Sequence, residues 1–149
     1  MQIWLDGDAC PKVIKEIVFR AVNRTKTSLF LVANHLVPIP PSLFIKRIQV
    51  SGGFDVADNY IVDNLQHGDL VITGDIPFAD AVIAKGGIAL NPRGELYTAA
   101  NIKQFLSIRN FSESLRGSGV ITGGPSTLNS KSTQLFANNL DKFLRQHQK

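Results

Sequence analysis

The sequence predicts a three-layer α/β/α domain whose mostly parallel sheet has about five strands. Three observations carry this reading. Short apolar runs alternate along the chain with stretches of helical periodicity, the pattern of a parallel sheet covered on both faces. Two of the runs end in aspartate–glycine pairs followed closely by a proline, Asp6-Gly7-Asp8 before Pro11 and Gly74-Asp75 before Pro77, as strand-to-helix turns do. The 149 residues, 44% hydrophobic and 19% charged, suffice for the full core of one domain without staples.

The elements follow in order. Gln2–Leu5 reads as a buried strand, and Pro11 opens a helix at its favoured first-turn position. Val13, Ile14, Ile17, Val18, Ala21 and Val22 give that helix one apolar face. Ser28–Val32 is a second strand, ending near Asn34. The proline-rich His35–Ser42 is a loop, because proline fits neither a helix interior nor a central strand. Ile45–Val50 is the third strand. Asp55 suits the N-cap of a helix running to about Leu65, closed by His67-Gly68. Leu70–Thr73 is the fourth strand. Pro77 starts a helix that ends at Lys85-Gly86-Gly87, and Ile88–Leu90 is a short fifth strand. Thr98 caps a helix over Ala99–Arg109. Ser114–Ser130, with four glycines among many Ser and Thr, reads as a mobile loop. Leu135, Phe136, Leu140, Phe143 and Leu144 mark an amphipathic C-terminal helix over about 131–147. No repeat or composition break divides 1–149, so one domain is expected.

Composition narrows the function classes. Cys10 is the single cysteine, which excludes an internal disulfide and fits a reducing compartment. The N-terminus lacks the basic stretch and apolar run of a signal peptide, and no apolar run approaches membrane-spanning length. A cytoplasmic protein without a membrane partner is expected. Nine Phe against one Trp and two Tyr is a core composition rather than a stacking platform for bases. Charge is uneven. Residues 1–100 carry 9 Lys and Arg against 10 Asp and Glu, whereas 101–149 carry 7 against 2. A basic tail beside an acidic region fits a nucleic-acid backbone, and equally the solvated face of a helix.

The chemistry-bearing residues are aspartates at predicted strand ends, where open α/β sheets place their ligands. Asp6 and Asp8 flank a glycine, and alternate residues of an extended chain point the same way. Asp75 ends the fourth strand similarly. Three carboxylates near one point repel unless a cation neutralises them, and hard oxygen donors suit Mg²⁺ or Mn²⁺. On a helical wheel at about 100° per residue, with Asp55 at zero, Leu65 falls at about 280°, Asp58 at about 300° and Val62 at about 340°. Asp58 thus borders the buried face, where a carboxylate needs a partner. Asp63 falls on the solvent side. Asp55 and Asp80 are explained as well by capping and the helix dipole as by a site. Turn and cap chemistry alone also accounts for Asp6 and Asp8 taken in isolation. Cys10 at a helix start reads as a packing residue, and His35, His67 and His147 lack metal-ligand spacing. Lys12, Lys85, Arg93 and Arg116 are candidates for holding phosphates, and each taken alone reads as well as plain surface.

The segments Asp6-Gly7-Asp8-Ala9-Cys10-Pro11, GFDVADNYIV (Gly53–Val62), GDLVITGDIPFA (Gly68–Ala79), LNPRGELYT (Leu90–Thr98) and TGGP (Thr122–Pro125) resemble, in order, those of the YaiI/YqxD family of bacterial proteins. The resemblance spans residue 3 to about 144. It implies a PIN-like domain related to the NYN ribonuclease group, with Asp6, Asp8, Asp58 and Asp75 as catalytic carboxylates and Asp6, Asp58 and Asp75 holding the metal. Asn34 and Arg93 match polar family motifs. Asn59 and Ser132-Thr133 depart from the family pattern.

The leading expectation is a Mg²⁺- or Mn²⁺-dependent nuclease acting on RNA, with Asn34, Lys12, Arg93 and Arg116 on the substrate and the basic C-terminal helix guiding the strand. A non-catalytic RNA- or protein-binding module is the alternative. A phosphatase of the haloacid-dehalogenase type, with Asp6 as nucleophile, is a third reading, weakened because Ala9-Cys10-Pro11 lacks the Gly-Thr pattern of that group.

Overall fold

A computed structural model describes residues 2–7, 10–52, 56–107 and 130–147. Asp8, Asp55, Arg116 and residues 114–129 of the glycine-rich segment lie outside the described residues. Six strands form one sheet: β1 (Gln2–Asp6), β2 (Ser28–Ala33), β3 (Ile45–Gln49), β4 (Leu70–Ile72), β5 (Ile88–Leu90) and β6 (Leu96–Tyr97). Their order is β3-β2-β1-β4-β5-β6. All pairings are parallel except that of β5 with β6. The sequence reading missed β6, whose two residues are too few to show a period. The helices are α1 (Lys12–Thr25), α2 (Val56–Asn64), α3 (Ile76–Ala84), α4 at 102–107 and α5 (Ser130–His147).

Strand alternation sorts the core into two clusters, one per face. Ile3, Leu5, Leu29, Leu31, Leu70, Ile72 and Leu90 pack with α1 and α5. Trp4, Val32, Val71 and Ala89 project to the opposite face and meet Ile61 of α2 and Leu65 just past it, Phe78 and Val82 of α3, and Ile102 of α4. The result is the expected three-layer α/β/α arrangement. The edge strands are blunted: β3 exposes Lys46 and Arg47, and β6 is only two residues long.

α1 differs from its predicted face at two positions. Val13 is 43% exposed, and Phe19 is 8% exposed although it lies off the apolar stripe. Phe19 is buried because the 34–42 loop folds over that side of the helix and shares a core cluster with it through Val37. That loop is pinned from both ends. Arg47 donates to the Val37 carbonyl at 3.0 Å, and the Ser42 hydroxyl donates to Asn23 of α1. Pro11 occupies the N-cap, one position before the predicted one, with extended backbone (φ −60°, ψ 149°). Its carbonyl accepts from the Ile14 and Lys15 N–H groups.

α5 docks Phe136, Leu140, Phe143 and Leu144 into the α1 face, and fully burying such side chains contributes about 1.5–3 kcal/mol each. Leu135, placed on the apolar face by sequence, is 47% exposed. Arg24 and Asp141 pair across the two helices. Among the described residues no helix is long and apolar enough to cross a membrane.

Candidate functional site

The chain leaves β1 outward to β2 and β3, then returns to β4 on the other side of β1. β1 and β4 therefore flank a topological switch point, where loops diverge and open a crevice beyond the carboxyl ends of the strands. Six of the described candidates follow the carboxyl ends of strands. Asp6 ends β1, Lys12 opens α1, and Asn34 follows β2. Asp58 lies in the first turn of α2, which begins after β3. Asp75 follows β4, and Arg93 follows β5.

Local chemistry explains each placement. Gly7 continues β1 beside β2, its N–H donating to the Val32 carbonyl at 2.8 Å. A Cβ there would lie 2.9 Å from Leu31 Cδ2 and 3.1 Å from Ala33 Cβ, so only glycine lets the chain turn this close to β2. Asp6 is half-buried, and its carbonyl accepts from the Cys10 N–H. Asp75 caps α3: its Oδ1 accepts from the Phe78 N–H at 3.1 Å. The Asp75 N–H in turn donates to the hydroxyl of buried Thr73 at 3.0 Å. Asp75 Oδ2 accepts no hydrogen bond among the described residues, which leaves it available beyond the cap. Asp58 is half-buried, as is its wheel neighbour Val62, its other wheel neighbour Leu65 is buried, and Asp63 is exposed.

Between the two central strands lies a cavity of about 10 Å³, lined by Asp6, Cys10, Ile72, Thr73, Gly74 and Pro92. That is room on the order of one water. Cys10 is a packing residue there. Burial foremost pushes its thiol up to about 12, with Asp6 adding to the rise and Lys15 opposing it. A helix start does not activate a cysteine this buried.

The Asn91-Pro92-Arg93-Gly94 turn forms a second wall. Asn91 Oδ1 accepts from the Arg93 N–H at 2.7 Å, and its Nδ2 donates to the Tyr97 hydroxyl at 2.6 Å. Gly94 takes a left-handed φ of 95°, and a Cβ there would meet the α5 backbone at 2.8 Å. Burial foremost raises the Tyr97 phenol. The Asn91 hydrogen bond lowers it, Glu95 raises it, Arg93 lowers it and Asp75 raises it. Asp75 and Arg93 thus act electrostatically on one hydroxyl. The Arg93 guanidinium forms no ion pair among the described residues.

Other sequence candidates resolve as surface features. Asp80 pairs with Lys103 at 3.6 Å on the exterior. His35 and His67 are exposed. Arg145 lies with Arg24 and Asp141 at the far end of α1, away from the carboxyl edge, so that part of the basic C-terminal helix does not face the site. Among the described residues, no three of His, Cys, Asp and Glu converge closely enough to hold a metal ion together. The donor chemistry at the switch point nonetheless suits a hard cation. Asp6, Thr73 and Gly74 border one small cavity, Asp75 follows directly, and Mg²⁺ commonly takes only one or two carboxylates and keeps its waters.

Sequence reasoning passed over Thr73, whose position two residues before Asp75 was its only signal. It also passed over a groove beside α1. That groove, of about 750 Å³, is bordered by Lys12, Lys15, Glu16, Phe19 and Arg20 of α1 and by His35 and Val37–Pro40 of the loop.

The family described as "Uncharacterized BCR, YaiI/YqxD family" matches residues 4–146. The chain is 60% identical over 149 residues to a UPF0178 protein of Colwellia psychrerythraea, covering 100% of this chain and 99% of the relative. It is 58% identical over 149 residues to a UPF0178 protein of Pectobacterium atrosepticum, with the same coverage. It is 60% identical over 147 residues to one from Syntrophotalea carbinolica, covering 99% of each chain. No solved structure matches. With a family match across nearly its whole length and relatives this similar end to end, the chain belongs to the YaiI/YqxD family.

Proposed function

We propose that this protein is a metal-dependent nuclease acting on RNA at the carboxyl edge of its sheet. The observation that carries the reading is topological. Asp6 and Asp75 follow β1 and β4, the strands that flank the switch point, and Asp58 comes from the first turn of α2, after β3. The PIN-like resemblance agrees with it, as an analogy of family.

Asp6 and Asp75 would hold Mg²⁺ or Mn²⁺, with Asp58 and Asp8 as further carboxylates. Such an ion, when bound, makes water a better nucleophile at neutral pH and offsets charge on phosphate oxygens. The chain's own groups do the rest. The Thr73 hydroxyl accepts from the Asp75 backbone N–H and the Phe78 N–H donates to Asp75 Oδ1, so backbone and side chain are each held in place. Asp8 would orient the attacking water and take its proton. Arg93 and Lys12 supply cations for phosphate oxygens, and Asn34 offers an amide to the sugar or base. Arg116 is a further candidate cation.

The test is incubation of a labelled single-stranded RNA with the purified protein in Mn²⁺, in Mg²⁺ and in chelator, beside Asp75→Asn. Cleavage that needs the metal and is lost in the variant is the expected result. Equal cleavage by Asp75→Asn, or none by the wild type in either metal, overturns the proposal. A non-catalytic RNA-binding module is the second reading, favoured by the lack of a three-ligand metal cluster among the described residues. It predicts salt-sensitive RNA binding without turnover.

A further inference from the structure

We infer that the groove between α1 and the 34–42 loop is the track along which single-stranded RNA reaches the carboxyl edge. The inference rests on the RNA reading above and extends it to a surface outside the carboxylate site. Lys12, Lys15, Glu16, Phe19 and Arg20 line one wall at spacings of three, four, seven and eight residues, the spacing of one helix side. From Lys12 to Arg20 the wall runs about 12 Å along the helix at 1.5 Å per residue. The other wall is His35 and Val37–Pro40.

The charge fits a phosphodiester strand. Three of the four charged residues on the α1 wall are cations, with Glu16 the only carboxylate among the lining residues. Lys12, Lys15 and Arg20 form no ion pair with a carboxylate among the described residues. Lys12 and Arg20 are exposed, and Lys15 is half-buried. The floor is apolar, with Phe19, Val37, Ile39 and two prolines, which suits sugar and base faces laid against it while phosphates reach the rim. A duplex would rest on the rims of a groove walled on both sides, whereas a single strand can enter it.

The groove is preformed and correctly aimed. Arg47 of β3 donates to the loop's Val37 carbonyl and the loop's Ser42 hydroxyl donates to Asn23 of α1, so the wall does not have to be ordered on binding. Lys12 stands at the start of α1, just after the turn that follows Asp6. Asn34 and His35 stand just past the end of β2, the neighbour of β1. One mouth of the groove therefore opens at the carboxyl edge that carries the aspartates.

The experiment measures binding, not cleavage. A short labelled oligouridylate is titrated with full-length protein in chelator across a salt series, for wild type, Lys15→Ala/Arg20→Ala and Lys15→Arg/Arg20→Lys. Each phosphate contact to a single strand contributes about 0.7 to the slope of log affinity against log salt, so the alanine pair should flatten it by about 1.4. The charge-conserving pair should keep the wild-type slope, which separates lost charge from lost packing. Unchanged affinity and slope in the alanine pair overturns the groove while leaving the nuclease reading standing. A flattened slope without cleavage in any metal keeps the groove and removes the catalysis. Absence of oligouridylate binding by the wild type overturns both. If polyglutamate binding is lost in the alanine pair while oligouridylate binding is not, the groove takes an acidic peptide and the inference fails.

Discussion

Trp4 donates its indole N–H to Asp69 Oδ2 at 3.0 Å, tying the middle of β1 to the residue just before β4. The same carboxylate accepts from the Gln2 N–H at 3.1 Å and the Gln66 N–H at 2.9 Å. Asp69 is 3% exposed, and its three donors make the burial of a carboxylate tolerable. This latch closes the amino edge of the two strands whose carboxyl ends flank the candidate site. It holds β1 and β4 in register where the chain skips between them.

Asp69→Ala would leave the indole N–H and two backbone N–H groups without that acceptor. Hydrogen bonds to charged groups contribute about 1.5–3 kcal/mol each, and stranded donors cost more. Allowing for water entering the gap, a loss of roughly 3 kcal/mol is expected, or about 6–12 °C in Tm for a chain of this size. Thermal unfolding followed by circular dichroism reads it. A shift under a degree would show that the latch is replaceable.

Gly7→Ala tests the close approach at the end of β1. The added methyl would meet Leu31 and Ala33, both buried, at 2.9 and 3.1 Å. Neither can swing clear into solvent, so the overpacking cost of about 1–3 kcal/mol applies. Because Gly7 sits between Asp6 and Asp8, RNA cleavage should fall with stability. Chemical denaturation with the cleavage assay separates the two: activity lost at temperatures where the variant is fully folded would mean that the carboxylates have shifted.

Much of this arrangement was legible in the sequence, for identifiable reasons. Asp6 and Asp75 stand where apolar runs break, and Asp58 falls between Leu65 and Val62 on a wheel, so local pattern sufficed to place them. Asp69 carried no such signal. It lies at a strand start, and its role depends on Trp4, sixty-five residues away in sequence. Strand order was equally out of reach, since the jump from β3 to β4 is a long-range fact. The burial of Phe19 against the stripe of α1 came from a proline loop folding back, which no helical period encodes. Val13 and Leu135 show the converse, apolar residues in phase with a face that ends before it reaches them.

Tyr97 gives the pH dependence. Its phenol is raised, by burial first, above the ordinary value of 10.0 that it regains on unfolding. A group raised on folding contributes its stability in full below the unfolded value, and that contribution is lost as pH climbs through the folded one. Wild-type stability should therefore decline above about pH 10 more steeply than that of Tyr97→Phe. The variant should be weaker by about 1 kcal/mol near neutrality, having lost the Asn91 hydrogen bond. Denaturant midpoints at neutral and alkaline pH check both signs. Parallel pH profiles for the two proteins would contradict the assignment.

Asp75 performs two tasks that substitution can pull apart. As N-cap of α3 it needs only a side-chain oxygen aimed at the Phe78 N–H, and asparagine caps about as well as aspartate. As a site carboxylate it needs the negative charge. Asp75→Asn should unfold within a few tenths of a kcal/mol of wild type, whereas Asp75→Ala should lose about 1 kcal/mol. If the carboxylate acts on the reaction, both variants should be equally poor in RNA cleavage, down by on the order of a hundredfold or more. Stability that separates the two variants while activity does not would assign the charge to function and the oxygen to the helix. If activity tracked stability, with Asp75→Asn near wild type, the residue would be a cap and nothing further.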